Sequence, residues 1–186
     1  MRKLLVFNSV SADGYFTDKN SDMSWAHKND PEWDEFVAEN SQSGGELLFG
    51  RITYEMMASF WPTPAAADLF PVLAEQMNKL PKVVFSRTRD KVSWQNTRLL
   101  KGNLVDEVRQ LKQEPGEHMV IMGSGSIISQ LAGENLIDEY QMVVNPIVLG
   151  ADRTMFEGFK GSLNLRRTTW RMFGNGNALI CYEPVK

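Results

Sequence analysis

The sequence predicts an α/β fold: a mostly parallel, helix-covered sheet that ends in an antiparallel hairpin, held in a single domain over residues 1–186. Three observations predict it. Short β-rich runs alternate with segments of helical spacing through the first two thirds of the chain. The last third carries two long strand signals joined at Gly174-Asn175-Gly176-Asn177, a strong hairpin turn. No repeat, low-complexity tract or linker divides the chain.

The elements follow in order. Leu4 to Asn8 is a short β-rich run. A polar stretch from Ser9 to Asn29 follows, with Asp13-Gly14 and Asn20 as turn residues; loops of such length are often functional. Asp30-Pro31-Glu32 opens a helix with a cap residue, a proline at the first helical position and an acid in the first turn. Trp33, Phe36, Val37 and Asn40 mark one face of it. Glu46 to Phe49 is a strand, and Arg51 to Phe60 is a helix broken by Pro62-Thr63-Pro64. A further helix is expected from Ala66 to Asn78, then strands at Lys82 to Ser86 and within Trp94 to Leu100. Asn103 caps a helix that Pro115-Gly116 closes. His118 to Met122 is a strand and Ile127 to Ala132 a short helix. Glu139 to Val144, Leu163 to Phe173 and Ala178 to Glu183 are strands, with a bulge expected at Arg166-Arg167.

Composition narrows the function. Twenty Lys plus Arg against 23 Asp plus Glu give a net charge of −3, without the basic excess of a general nucleic-acid binder. No apolar run approaches the roughly 18 residues that span a bilayer. The single cysteine, Cys181, excludes an internal disulfide and reads as a small core residue. His27 and His118 match no zinc spacing and read as structural. The expectation is a cytoplasmic, metal-free domain with no nucleic-acid or membrane partner.

Ligands of open α/β sheets bind beyond the carboxyl ends of the strands. Four such ends carry suggestive residues: Ser9 and Asp13-Gly14, Gly50-Arg51-Ile52-Thr53, Ser86-Arg87-Thr88, and Gly123-Ser124-Gly125-Ser126. Glycines let the backbone approach a phosphate, and a helix N-terminus offers unpaired N–H groups. Arg51 and Arg87 bring donor forks suited to phosphate, and Ser86 and Thr88 add hydroxyls. Taken together they suggest a polyanionic cofactor such as a dinucleotide phosphate; taken singly each reads as a strand-end charge or a tight turn. Asp13, Asp30 and Asp34 are the acid/base candidates. Asp30 is also the natural N-cap of its helix, Asp34 also reads as a solvated helix carboxylate, and Asp13 as a turn residue. Trp25, Trp33, Phe36, Phe60 and Trp61 form an aromatic set that could sandwich a flat heterocycle or simply pack the core.

Several of these segments, in this order, resemble a known superfamily. Ser11-Ala12-Asp13-Gly14-Tyr15-Phe16, Leu48-Phe49-Gly50-Arg51-Ile52-Thr53-Tyr54-Glu55 and Val84-Phe85-Ser86-Arg87-Thr88 begin the series. Met122-Gly123-Ser124-Gly125-Ser126-Ile127, Leu136-Ile137-Asp138-Glu139-Tyr140 and Val144-Asn145-Pro146-Ile147-Val148-Leu149-Gly150 complete it. Over nearly the whole chain it resembles the dihydrofolate-reductase-like superfamily, in the branch of the C-terminal reductase domain of the riboflavin-biosynthesis enzyme RibD. The resemblance implies a three-layer fold with a mixed eight-stranded sheet, and NADPH as cofactor. It implies that Gly50, Arg51, Ile52 and Thr53 flank the cofactor phosphates. Ser86, Arg87 and Thr88 would contact the adenosine side and its 2′-phosphate, and Gly123, Ser124, Gly125, Ser126 and Ile127 would cradle the pyrophosphate. Ser9 and the Asp13-Gly14 loop would lie near the nicotinamide.

The sequence also departs from the family. The His/Cys zinc signature of the deaminase half is not in this sequence, and Ala151-Asp152-Arg153 follows Gly150 where relatives often carry a second glycine. Counting back from Gly50 points to Asp34 as the substrate acid; matching the following tryptophan points to Asp30. The activity so implied is hydride transfer to a small heterocyclic or ribosylamino-pyrimidine substrate. Dihydrofolate reduction and a catalytically silent nucleotide-binding module are the alternatives. Relatives suggest a homodimer, for which the apolar strand around Met142 to Leu149 could serve as interface or else as a buried core strand.

Overall fold

The structure, a computed structural model, describes residues 1–17, 23–26, 30–151 and 153–185. Asn20, His27 and Asp152 lie outside the described residues. Eight strands form one sheet: β1 (Leu4–Ser11), β2 (Glu46–Gly50), β3 (Lys82–Phe85), β4 (Thr97–Leu100), β5 (Met119–Met122), β6 (Glu139–Asn145), β7 (Leu165–Met172) and β8 (Ala178–Pro184). Their order is β4-β3-β2-β5-β1-β6-β8-β7. Strands β1 to β6 run parallel to their neighbours, and β8 and β7 close one side antiparallel. Six helices flank the sheet: α1 (Pro31–Gln42), α2 (Arg51–Phe60), α3 (Pro64–Leu69), α4 (Pro71–Lys79), α5 (Leu104–Gln113) and α6 (Gly125–Gly133).

Alternation of side chains along the strands makes the three layers. Leu4, Val6, Leu48, Val83, Met119 and Ile121 point to one face, where Val108 and Leu111 of α5 and Ile127, Ile128 and Leu131 of α6 cover them. Leu47, Phe49 and Val84 point to the other face, against Tyr54 of α2 and Met77 of α4. On that same face Phe7, Val143, Leu179 and Cys181 meet Trp33 and Phe36 of α1. Burial, reinforced by the charge of Glu139, pushes the Cys181 thiol up to about 11, as befits a core residue.

Most elements fall where the sequence places them, with two corrections. The helix expected from Ala66 to Asn78 is two helices, because Pro71 lacks the N–H that would continue the first; Thr63 caps the first and Pro71 starts the second. The aromatic set separates. Trp33 and Phe36 join Phe173 beneath α1, with centroids 4.9 and 5.3 Å from Phe173, whereas Phe60 and Trp61 stack at the end of α2 near Phe70. Strand β6 lies inside the sheet, paired with β1 on one side and β8 on the other. The expected bulge is present, as a register shift between Arg167 and Thr169.

Lys82 is fully buried at the start of β3. Its Nζ donates to the carbonyl oxygens of Met77 (2.8 Å), Asn78 (3.2 Å) and Leu80 (2.5 Å), the last carbonyls of α4, and lies 4.5 Å from the Trp94 ring centroid. Together with Gln95 and Asn96, which donate to the Asn78 carbonyl, this side chain satisfies the C-terminus of α4. Desolvation lowers its pKa to about 8.

Candidate active site

Parallel pairing brings the carboxyl ends of β1, β2, β3 and β5 to one edge of the sheet. Gly50 stands beside Phe85 in the β2–β3 register, and Phe7 beside Met122 in that of β1 and β5. Two helices start at this edge, α2 after Gly50 and α6 after Ser124. A set of hydrogen bonds locks the two starts together. The Gly50 N–H donates to Ser124 Oγ at 2.9 Å. The Ser124 N–H and hydroxyl both donate to Thr53 Oγ1, at 3.1 and 3.0 Å.

The turn that makes this junction is sterically demanding. Gly123 and Ser124 are both left-handed, with φ of +61° and +57°. A Cβ on Gly123 would stand 2.8 Å from Thr53 Cγ2, so only glycine fits. Asn8, itself buried, grips the same glycine from β1: its Oδ1 accepts the Gly123 N–H at 2.5 Å and its Nδ2 donates to the Gly123 carbonyl at 3.2 Å. Gly125 is held from below by Phe16, whose ring would lie 3.0 Å from a Cβ there. The first N–H groups of α6, on Gly125 and Ser126, have no intrahelical acceptor and mark the positive end of the helix dipole.

Cationic groups flank this junction. Arg51, at the first position of α2, donates to Glu55 Oε2 at 3.0 Å, and Arg89 donates to Glu55 Oε1 at 2.6 Å. The hydrogen bond from Arg89, with the charges of both arginines, holds the Glu55 carboxyl below the usual carboxylate range. Ser86 Oγ accepts the N–H groups of Thr88 and Arg89 at 3.3 and 3.2 Å, which folds the loop after β3 and leaves Arg87 and Thr88 exposed. Tyr54 braces this loop from below: its hydroxyl accepts the N–H groups of Ser93 and Trp94, both at 3.0 Å, and its ring lies 5.4 Å from the Arg89 guanidinium. Sequence reasoning missed Asn8, Arg89 and Glu55. Of these, Glu55 had a signal, its spacing four residues after Arg51 on one helix.

The loop after β1 is fastened to the segment after β6. Asp13 accepts the Ser11 hydroxyl at 2.6 Å and the N–H groups of Leu149 and Gly150 at 3.2 and 2.8 Å. The Ser11 hydroxyl first, then the Gly150 N–H, lower its pKa. Asp13 therefore sits as an ionised latch. Gly14 follows it in an exposed left-handed turn, and Ser9 is half-buried within β1, which continues to Ser11.

The remaining candidates divide by role. Asp30 caps α1, accepting the Trp33 N–H at 2.9 Å. Asp34 is exposed one turn later. Ile52 is 61% exposed at the start of α2, whereas the Ile127 side chain is in the core and its N–H is taken by the Ser124 carbonyl. Ile127 thus supports the turn and offers it no free donor. The donor set at the edge, two helix starts with Arg51 and Arg89 on one carboxylate and Arg87 exposed in the loop after β3, and a turn where a Cβ has no room, fits the phosphates of a dinucleotide. Among the described residues no group of three His, Cys, Asp or Glu could hold a metal ion, and no helix is long and apolar enough to cross a membrane.

The chain is similar to several known proteins. The RibD C-terminal domain family matches residues 2–179. A Shewanella sp. PV-4 protein carrying a provisional riboflavin-biosynthesis description is 26% identical, with a TM-score of 0.79 and 99% of each chain covered. The Thermotoga maritima diaminohydroxyphosphoribosylaminopyrimidine deaminase/5-amino-6-(5-phosphoribosylamino)uracil reductase has a TM-score of 0.71 at 13% identity, covering 99% of this chain and 57% of that one. Enterococcus faecalis dihydrofolate reductase, in complex with NADP(H), has a TM-score of 0.66 at 14% identity, covering 99% and 97%. These last two likenesses establish the dihydrofolate-reductase-like fold.

Proposed function

This chain belongs to the RibD C-terminal domain family, and we propose that it is an NADPH-dependent reductase transferring hydride to a C=N or C=O group of a small heterocyclic substrate. A ribosylamino-pyrimidine of the kind named for the Thermotoga maritima enzyme is the preferred substrate class. The observation that carries this reading is the junction in which Ser124 ties Gly50 and Thr53 together and aims two helix starts at one sheet edge.

The reduced nicotinamide, when bound, supplies the hydride. The work of the chain is to bind, orient and protonate. The N–H groups of Gly125 and Ser126 would hold the pyrophosphate, with Arg51 beside them. Arg87, with Ser86 and Thr88, would hold the 2′-phosphate. Ser9 and the Asp13-Gly14 loop would border the nicotinamide, the loop held in place by the bonds from Leu149 and Gly150 to Asp13. Asp30 is committed to its helix cap, so Asp34 takes the role of proton donor, through water.

Arg87→Ala tests the cofactor assignment. A charge-assisted contact to phosphate is worth about 1.5–3 kcal/mol, so NADPH affinity should fall roughly tenfold or more while NADH affinity stays level. Fluorescence titration of both cofactors reads this out; equal losses for the two would remove Arg87 from the 2′-phosphate.

The homodimer is part of the same proposal, on a different surface. On the face opposite α1, two cross-strand rows, Met142-Ile180-Trp170 and Val144-Ala178-Met172, run across β6, β8 and β7. Trp170 and Met172 are 58% and 56% exposed there. Such a contiguous apolar face suits a self-complementary contact with a second copy. Light scattering should give twice the chain mass for the wild type and the monomer mass for Trp170→Glu. A wild-type monomer at micromolar concentration would refute the dimer.

A further inference from the structure

We propose that Asn145 and Asn177 enclose one structural water, which joins the end of β6 to the tip of the β7–β8 hairpin. The two asparagines are the next cross-strand neighbours after the Val144–Ala178 pair, and both are completely buried. Their backbones are accounted for at the tip: the Asn177 N–H donates to Asn175 Oδ1 at 2.9 Å, and the Asn177 carbonyl accepts the Phe173 N–H at 2.9 Å. Asn145 Nδ2 donates to the carbonyls of Val143 and Val10 at 3.0 and 3.4 Å. Three side-chain atoms are left: Asn145 Oδ1, Asn177 Oδ1 and Asn177 Nδ2 have no hydrogen-bond partner among the described residues.

Buried polar groups in native proteins are almost always paired, by protein or by ordered water. Three unmet atoms on one pair of facing residues therefore specify a ligand, and their chemistry selects it. Two are acceptors and one is a donor. A water molecule offers two protons and a lone pair, which matches all three. A cation would satisfy the two oxygens and repel the Nδ2 protons. A larger organic ligand has no way in, since neither residue reaches the surface. Close packing seals the site beside it, where a Cβ on Gly176 would come 3.0 Å from Pro146 Cγ. The site lies at the carboxyl end of β6, beside Ser11 in the β1–β6 register, and does not depend on the function proposed above.

The test uses the wild-type protein in water. Proton NMR should show a cross-peak from a long-lived water to the Asn177 side-chain amide, with the sign of an intramolecular contact. A crystal structure should show one solvent peak within hydrogen-bond distance of Asn145 Oδ1 and both Asn177 amide atoms. Asn177→Leu, close in volume, should melt several degrees lower, roughly 3–6 °C. A direct amide-to-amide bond with no solvent peak between the residues would overturn the proposal, as would an Asn177→Leu variant that melts at or above the wild type. Should that variant fail to fold, the wild-type spectrum and density still decide.

Discussion

Gly123→Val is expected to abolish detectable NADPH binding and to lower the melting temperature at the same time. Two effects combine at this position. The backbone is left-handed, which disfavours any side chain by about 1–2 kcal/mol. The new Cβ would also stand 2.8 Å from Thr53 Cγ2 and 3.0 Å from Thr53 Oγ1, the atom that accepts both Ser124 donors. Relief requires Thr53 or the turn to move, and either motion opens the junction that aims the two helix starts. Binding should fall by about a hundredfold or more, and thermal unfolding should come several degrees earlier. Gly133→Ala is the matched control: it ends α6, and a Cβ there meets nothing within 4 Å, so it should bind cofactor normally. Titration and melting of the two variants side by side check the prediction. A Gly123→Val protein that binds like the wild type would mean the turn does not shape the site.

Lys82→Met should produce the largest loss of stability without touching the site. Methionine fills much of the space but donates nothing, leaving the carbonyls of Met77 and Leu80 buried without their partner. Asn78 keeps donors from Gln95 and Asn96, which limits the damage. At about 1–3 kcal/mol for each unmet group, the loss should total roughly 2–4 kcal/mol, seen as a melting temperature lower by about 5–15 °C. The same lysine gives a pH signature. Its folded pKa of about 8 lies below the ordinary 10.5, so above pH 8 the unfolded chain binds more protons than the folded one. Stability contributed by this group therefore rises from pH 8 to about 10.5, and Lys82→Met should lack that rise. Denaturant unfolding across that range separates the two proteins; identical pH profiles would contradict the assignment.

The fold was legible where the signal is local. Arg51–Phe60 is bounded by Gly50 before it and Pro62 after it, and the helix occupies those ten residues. Asp30 and Asn103 cap their helices as their residue types require. Pro71 was legible in principle, since a proline seven residues after Pro64 cannot continue a helix, yet the helix expected from Ala66 to Asn78 ran across it. The register that buries Lys82 was not legible, because a lysine at a strand start ordinarily faces water.

The site divides in the same way. Strand ends followed by glycine or arginine singled out Gly50, Arg51, Arg87 and Gly123 as candidates, a local pattern that the parallel sheet gathers on one edge. The contacts that fix the geometry are long-range. Asn8 grips Gly123 across 115 residues, and Asp13 reaches Gly150 across 137. Asp13 read as an acid/base candidate or a turn residue, and the structure surrounds it with three donors that lower its pKa. Spacing left Asp30 and Asp34 as alternatives; the structure gives Asp30 the cap of α1 and leaves Asp34 exposed.

The claim at the centre of this account is that the joined starts of α2 and α6 hold a phosphorylated nicotinamide dinucleotide. The most direct test is titration of the purified protein with NADPH, with NADH as the control, followed by the fluorescence of its five tryptophans. The account predicts saturable binding of NADPH, at least tenfold tighter than that of NADH. Absence of binding by either cofactor would contradict it, leaving the chain with the fold of a reductase and not the function.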